Sequence, residues 1–227
     1  YEIGVRLVGS EMCIRDRICS TGVNKATVLG DDFYIYYKQE WNPLFNDVYG
    51  HYVSGFYGDY LFHSVPYEDA SADTLETEEF NKLGDEGSLG CVRMETADVK
   101  WIYDNCPENT PVTVYDDDNP GPLGKPEAIK ITDHTCGWDP TDDDPQNPYA
   151  TKTPEIHGAS DLTISKGETA DLLEGVTAVD TCSNDITDKI SVTGNVLTDK
   201  VGTYKLTYSV EDTMHRTKRI DVTVKVV

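Results

Sequence analysis

The sequence predicts a mainly β protein in two parts: a mixed β domain carrying one helix, and a C-terminal β-sandwich. Three observations lead there. Fourteen tyrosines and 18 glycines, among frequent Val, Thr and Ile, favour strands and turns. Residues 95–106 alone repeat apolar positions at helical spacing over several turns, with Val99, Ile102, Tyr103 and Cys106 at i, i+3, i+4 and i+7. From about residue 152 short strands recur, and Tyr204, Leu206, Tyr208 and Val210 alternate cleanly, as do Ile220, Val222 and Val224. Such alternation means one buried and one wet face.

The 227 residues suffice for one large or two ordinary domains, and 38% hydrophobic content supports packed cores. No apolar run reaches the roughly 18 residues that a membrane-spanning helix requires. A net charge of −22 argues against nucleic-acid binding, which needs a basic patch. The acidic residues cluster at 116–118, at 142–144 and at Glu76, Glu78 and Glu79. Clusters of this kind suit a secreted protein, and equally suit solvated loops. Six cysteines are too few for a disulfide scaffold. Cys136 and Cys182 could pair in an oxidising compartment, a matter their Cα separation and orientation decide.

Taken in order, residues 1–17 are set aside. Their run Val8-Gly9-Ser10-Glu11-Met12-Cys13-Ile14-Arg15-Asp16-Arg17 resembles a peptide that recurs where sequencing adapter is translated at the edge of an assembly. Read as a non-native scar, it would put any signal peptide or anchor, and the first strands of the domain, outside this sequence. Loss of such strands would expose a sheet edge and favour aggregation. Residues 18–118 form the first domain. Strands are expected at 33–37, 52–57 and 59–63, the last ending on His63. Residues 69–87 are polar and lack alternation, so they read as a long loop of the kind that often serves as a lid, with a helical turn near 78–82. After the helix, which Asp98 supports at its start and Pro107 ends, a strand follows at 111–115. Residues 119–151 read as an acidic, Pro/Gly-rich linker, with a short strand at 128–132. Residues 152–227 form the sandwich, with strands at 162–164, 190–193, 203–210 and 220–224.

The chemistry concentrates in Ser88-Leu89-Gly90-Cys91-Val92-Arg93 and in Tyr60-Leu61-Phe62-His63-Ser64-Val65-Pro66. A cysteine is an effective acyl-transfer nucleophile when a base lies within hydrogen-bond reach and backbone N–H groups face the developing oxyanion. Gly90 lets the backbone approach a substrate closely. The N-terminus of the following helix could lower the thiol pKa. By default a lone cysteine is a small buried hydrophobe and a lone histidine a satisfied core residue. The flanking residues lift this pair above that default.

The two motifs together resemble the L,D-transpeptidases of the YkuD family, over residues 19–115. That resemblance implies a bacterial enzyme in which Cys91 attacks a peptidoglycan stem tetrapeptide, releases D-alanine and passes the thioester to a neighbouring amine as a 3→3 cross-link. It implies His63 as base, Ser64 beside it as orienter, Ser88 and Arg93 as shapers of the loop, and the N–H groups around Gly90 and Cys91 as the oxyanion hole. It further implies stem peptides as partners, carbapenem-type β-lactams as inhibitors, an extracellular or cell-wall location and no cofactor. Two departures stand out. Leu89 replaces the family's motif histidine, and Thr27-Val28-Leu29-Gly30-Asp31-Asp32-Phe33 replaces the family's Thr-Pro-Thr-Gly-Thr-Phe. Leu89 can carry no proton and would disfavour the thiolate by local desolvation. An impaired pseudoenzyme that binds wall or displays the protein at a surface is therefore the alternative.

In the C-terminal part Gly175-Val176-Thr177-Ala178-Val179-Asp180, Asp185-Ile186-Thr187 and 202–208 resemble bacterial immunoglobulin-like domains of surface proteins. That resemblance names a fold and no ligand. A third reading makes this half an adhesion or spacer module. His51, His134, His157 and His215 lack metal-ligand spacing. Asp139, Asp142, Asp143, Asp144 and Asn147 could offer oxygens to calcium, though without the glycine that shapes a calcium loop. Trp101 is expected in the helix core.

Overall fold

A computed structural model describes residues 17–117, 126–131 and 136–227, together with the backbone of 2–7. The described chain divides into two compact units, one running to Ile131 and taking in 136–147, the other formed by Pro148–Val227.

The first unit is built on two sheets. Strands β1 (Glu2–Leu7), β3 (Gly30–Tyr34) and β9 (Pro111–Asp117) form one, in the order β1-β9-β3. The second contains β2 (Cys19–Gly22), β4 (Tyr37–Pro43), β5 (Tyr49–Tyr57), β6 (Tyr60–Ser64), β7 (Glu86–Ser88) and β8 (Val92–Met94), in the order β4-β5-β6-β8-β2-β7. Exclusion of residues 1–17 from the fold is corrected at Glu2–Leu7, which pairs along its whole length with β9. The run 8–16 lies outside the described residues. The expected strand at 33–37 breaks in two at Ile35, which is fully buried between β3 and β4.

Strands β6 and β8 run parallel, Phe62 opposite Val92, His63 opposite Arg93 and Ser64 opposite Met94. Parallel neighbours need a long crossover. Residues 65–91 supply it, and so carry the cysteine motif back beside the histidine strand. Within this crossover α1 (Thr77–Phe80) and the loop around it cover a small core of Val65, Tyr67, Leu75, Phe80, Leu83 and Ile131.

Helix α2 (Thr96–Asn105) lays Val99 and Ile102 on β5 and β6, where they join Phe33, Phe56, Phe62, Val92 and Val112 in the main core. Trp101 packs only partly buried against that core. Glu95 precedes the helix without capping it by its side chain. The cap comes from a distant loop: Asp139 Oδ2 accepts the Thr96 N–H at 2.8 Å, and Thr141 Oγ1 accepts the Ala97 N–H at 3.2 Å. The segment read as linker is thus folded onto the first unit over 136–147. Asp139 and Asn147 are wholly buried, and Leu75 N–H donates to Gly137 O at 2.7 Å. The expected strand at 128–132 is replaced over its described part by side-chain pairing. Asn81 gives Nδ2 to Ile131 O and takes Ile131 N–H on Oδ1, both at 2.8 Å.

The second unit opens with α3 (Pro148–Thr151). Its strands are β10 (Glu155–His157), β11 (Leu162–Ile164), β12 (Thr177–Val179), β13 (Ser191–Gly194), β14 (Gly202–Glu211) and β15 (Thr217–Val226). They form a β10-β12 pair and a sheet ordered β11-β15-β14-β13. The alternating residues Leu206, Tyr208, Val210, Val222 and Val224 are buried against Ile156, Val176, Ala178 and Ile186. Arg216 ties the β14–β15 turn down, reaching Asp212 Oδ2 at 2.7 Å and Lys152 O at 2.7 Å.

Candidate active site

The pairing of β6 with β8 places His63 and Arg93 opposite each other, with Cys91 immediately before the first residue of β8. His63 is 2% exposed. Its Nδ1 lies 2.6 Å from Ser64 O, and a carbonyl oxygen only accepts, so Nδ1 carries the proton. The neutral ring therefore keeps Nε2 as its lone-pair nitrogen. Burial, reinforced by the Arg93 cation and opposed by the Ser64 hydrogen bond, depresses the His63 pKa to about 3. Space for the ring comes from Gly50, where an added Cβ would stand 3.1 Å from His63 Cβ.

Ser64 does not hold the imidazole with its hydroxyl. Its Oγ donates to Val65 O at 2.7 Å and accepts the His51 N–H at 2.9 Å, so the residue orients His63 by its backbone carbonyl.

Cys91 is half-buried. Its Sγ–H donates to Asp59 O at 3.6 Å, in the β5–β6 turn. Burial pushes the thiol pKa up and Asp59 adds to the rise, while a Leu61 backbone hydrogen bond and Arg93 work against it. A raised thiol and a depressed imidazole leave both groups neutral at physiological pH, without a standing thiolate. Leu89, expected to desolvate the thiol, is 70% exposed and points to solvent. The helix dipole expected to help the thiol is engaged elsewhere, its first N–H groups being capped by Asp139 and Thr141.

The loop before Cys91 is fixed from several sides. Ser88 Oγ donates to Cys91 O at 2.6 Å and accepts the Gly90 N–H at 3.0 Å. That bond removes Gly90 N–H from the expected oxyanion hole and leaves the Cys91 N–H as its candidate. Gly90 has φ +145°, and a Cβ there would meet Tyr60 at 2.8 Å, so glycine is required twice over. Arg93 pairs with Glu79 Oε2 at 2.6 Å and with Gly87 O at 2.8 Å, joining the crossover loop to β8. Its Nε is buried without a partner.

Sequence reasoning missed four residues here. Thr27 Oγ1 accepts the Gly22 N–H at 2.7 Å and donates to Gly90 O at 2.8 Å, tying β2 to the cysteine loop. Its place in the departed upstream motif was the available signal. Gly50, Asp59 and Glu79 come close only through tertiary structure and carried no local signal. Asp139 and Asn147, weighed as calcium ligands, are spent on internal hydrogen bonds. Among the described residues no three His, Cys, Asp or Glu side chains are arranged for a metal.

Comparison with known families matches residues 9–114 to the YkuD model, the L,D-transpeptidase catalytic domain. Residues 9–114 are a YkuD domain. Residues 154–226 match the Ig-like domain of bacterial surface proteins. Over 59 residues the chain is 44% identical to YciB of Bacillus subtilis (strain 168), an L,D-transpeptidase by its assigned name. The match takes in 26% of this chain and 29% of that relative, so the chain spans under a third of its length. Among solved structures, an L,D-transpeptidase of Stackebrandtia nassauensis aligns at 22% identity, covering 43% of this chain and 42% of its own, with a TM-score of 0.33. The CBM51-2 and INT domains of Clostridium perfringens ZmpB align at 32% identity over 32% of this chain and 16% of theirs, with a TM-score of 0.28. Cys91 and His63 thus both fall within the matched YkuD residues, and the Ig-like domain follows them.

Proposed function

We propose that the YkuD domain is a peptidoglycan L,D-transpeptidase working through a Cys91 thioester at the outside of a bacterial envelope. The observation that carries this reading is the parallel pairing of β6, which bears His63, with β8, which starts directly after Cys91; His63 Nδ1 is committed to Ser64 O, which leaves Nε2 as a base. In the first half-reaction Nε2 takes the thiol proton as Sγ attacks the stem-peptide carbonyl. The bond to D-alanine breaks, and the imidazolium protonates the departing amine. In the second, an acceptor amine gives its proton to Nε2 and forms the new C–N bond. The C–S bond breaks, and sulfur recovers a proton from the imidazolium. The resting pair starts neutral, so proton transfer accompanies attack rather than preceding it. The Ig-like domain serves as a surface module. Incubation with a stem tetrapeptide ending in D-alanine tests the reading by mass spectrometry. Released D-alanine and a peptide dimer, both lost in Cys91→Ala, are expected; an intact tetrapeptide would refute it.

One observation favours the alternative of an impaired enzyme. Leu89 stands where the family carries a histidine, and the thiol lies above its ordinary pKa. On that reading Leu89→His alone would release D-alanine.

A further inference from the structure

The first unit runs past its matched family stretch. The YkuD match ends at residue 114 and the Ig-like match begins at 154, yet residues 126–131 and 136–147 belong to the first unit. They seat on the crossover that leads to the cysteine loop. Lys130 Nζ donates to Asn81 O and, at 3.1 Å, to Leu83 O, while the Asn81 side-chain amide holds both backbone groups of Ile131. Ile131 shares a small core with Phe80 and Leu83. Gly137 O accepts the Leu75 N–H, and Gly137 has φ +79°, where an added Cβ would overlap Asp73 O. Neighbouring crossover residues bond instead to the strands beside Cys91. Glu79 pairs with Arg93 of β8, Lys82 O accepts the Ser20 hydroxyl of β2 at 2.9 Å, and Gly84 N–H donates to Cys19 O at 3.2 Å. Residues 79–84 are thus held from two sides, and shortly beyond them Ser88 fixes Gly90 and Cys91.

We infer that residues 126–131 and 136–147 form a strap that positions the cysteine loop, with Asn81 and Gly137 as its positioning residues. The strap pins the crossover against β2 and β8, and through Glu79, Lys82 and Gly84 it holds the loop in which Cys91 and its N–H stand. It acts through the crossover rather than on the thiol itself. Acyl transfer depends on such placement, and a displacement of about 1 Å can cost about 10²-fold in rate.

Hydrogen exchange of the full chain, followed by mass spectrometry, reads the strap without relying on catalysis. The rate of acylation by a carbapenem reads the consequence, and that arm alone rests on the transpeptidase reading above. Gly137→Ala sets a methyl group against Asp73 O, and Asn81→Ala releases Ile131. Both should speed exchange across residues 75–91 by roughly tenfold, the scale of a lost buried hydrogen bond. Acylation should slow by about 10- to 100-fold, while Cys106, buried in the main core, stays closed to iodoacetamide. Faster exchange confined to 75–84, with the cysteine loop and acylation unchanged, would overturn the positioning role. Unchanged exchange in both variants would overturn the strap itself. Alkylation of Cys106 in both would reduce these residues to general support of the fold and overturn the proposal as well. An unacylated wild type would overturn the transpeptidase reading, and exchange would still decide the strap.

Discussion

In the YkuD domain His51 and His63 are buried and held neutral, with pKa values depressed to about 4 and about 3, whereas His157 and His215 of the Ig-like domain leave 53% and 88% of their side chains in solvent. The same contrast holds for unsatisfied atoms. His51 Nδ1, Ser54 Oγ, Thr77 Oγ1, Arg93 Nε and Asp142 Oδ2 are buried without a hydrogen-bond partner, and all of these lie in the first unit. Among the described residues the Ig-like domain has no such atom. Buried polar groups left short of partners are costly, and they persist where an arrangement is kept for its chemistry rather than its stability. The Ig-like domain, by contrast, puts its apolar residues into one alternating core.

If that division is right, damage to one region should be silent in the other. The largest stability effect is expected from Leu206→Ala, which empties a fully buried site in the Ig-like core at a cost of about 2–5 kcal/mol. Calorimetry should show the transition of that unit falling while Cys91 reactivity stays unchanged; a loss of reactivity would break the comparison. Next comes Thr27→Val, similar in shape but unable to serve the Gly22 N–H and Gly90 O. It should cost about 1–3 kcal/mol in the first unit and slow Cys91 alkylation. Unchanged values in both measurements would remove Thr27 from the account.

The most gradual effect is one of pH, spread over two groups. His51 and His63 have folded-state pKa values below the unfolded value of about 6.5, so their contribution is complete above that pH and is lost as pH falls toward 4 and 3. The first unit should lose about 1–2 kcal/mol per histidine by pH 5. His157 and His215 lie largely in solvent, without such burial. Parallel acid transitions in the two units would contradict the assignment of buried histidines to one of them.

What the sequence made legible follows the same line. Alternation in β14 and β15 marked their buried residues almost one for one, because a two-layer sandwich lets each strand report its own faces. Cys91 and His63 were legible as motif residues, since their neighbours carry the pattern. The segment 136–147 was not. Its Asp and Pro residues read as a solvated linker, yet Asp139 caps α2 from 43 residues away and Asn147 is wholly buried on the carbonyls of Asp139 and Asp142. Composition reports the solubility of a segment, and here its polar atoms are satisfied by protein rather than water. Asp59 and Glu79 were invisible for a related reason. Asp59 sits in the local β5–β6 turn and meets Cys91 only once β8 pairs with β6, and Glu79 meets Arg93 only through the crossover which that pairing requires.

The central claim is that Cys91 is a nucleophile served by His63. Intact-protein mass spectrometry after exposure to a carbapenem tests it most directly, on the wild type, Cys91→Ala and His63→Ala side by side. The account predicts a single adduct on the wild type, none on Cys91→Ala, and formation slowed by about 10²–10⁴-fold in His63→Ala. An unmodified wild type, or an adduct that survives Cys91→Ala, would contradict it.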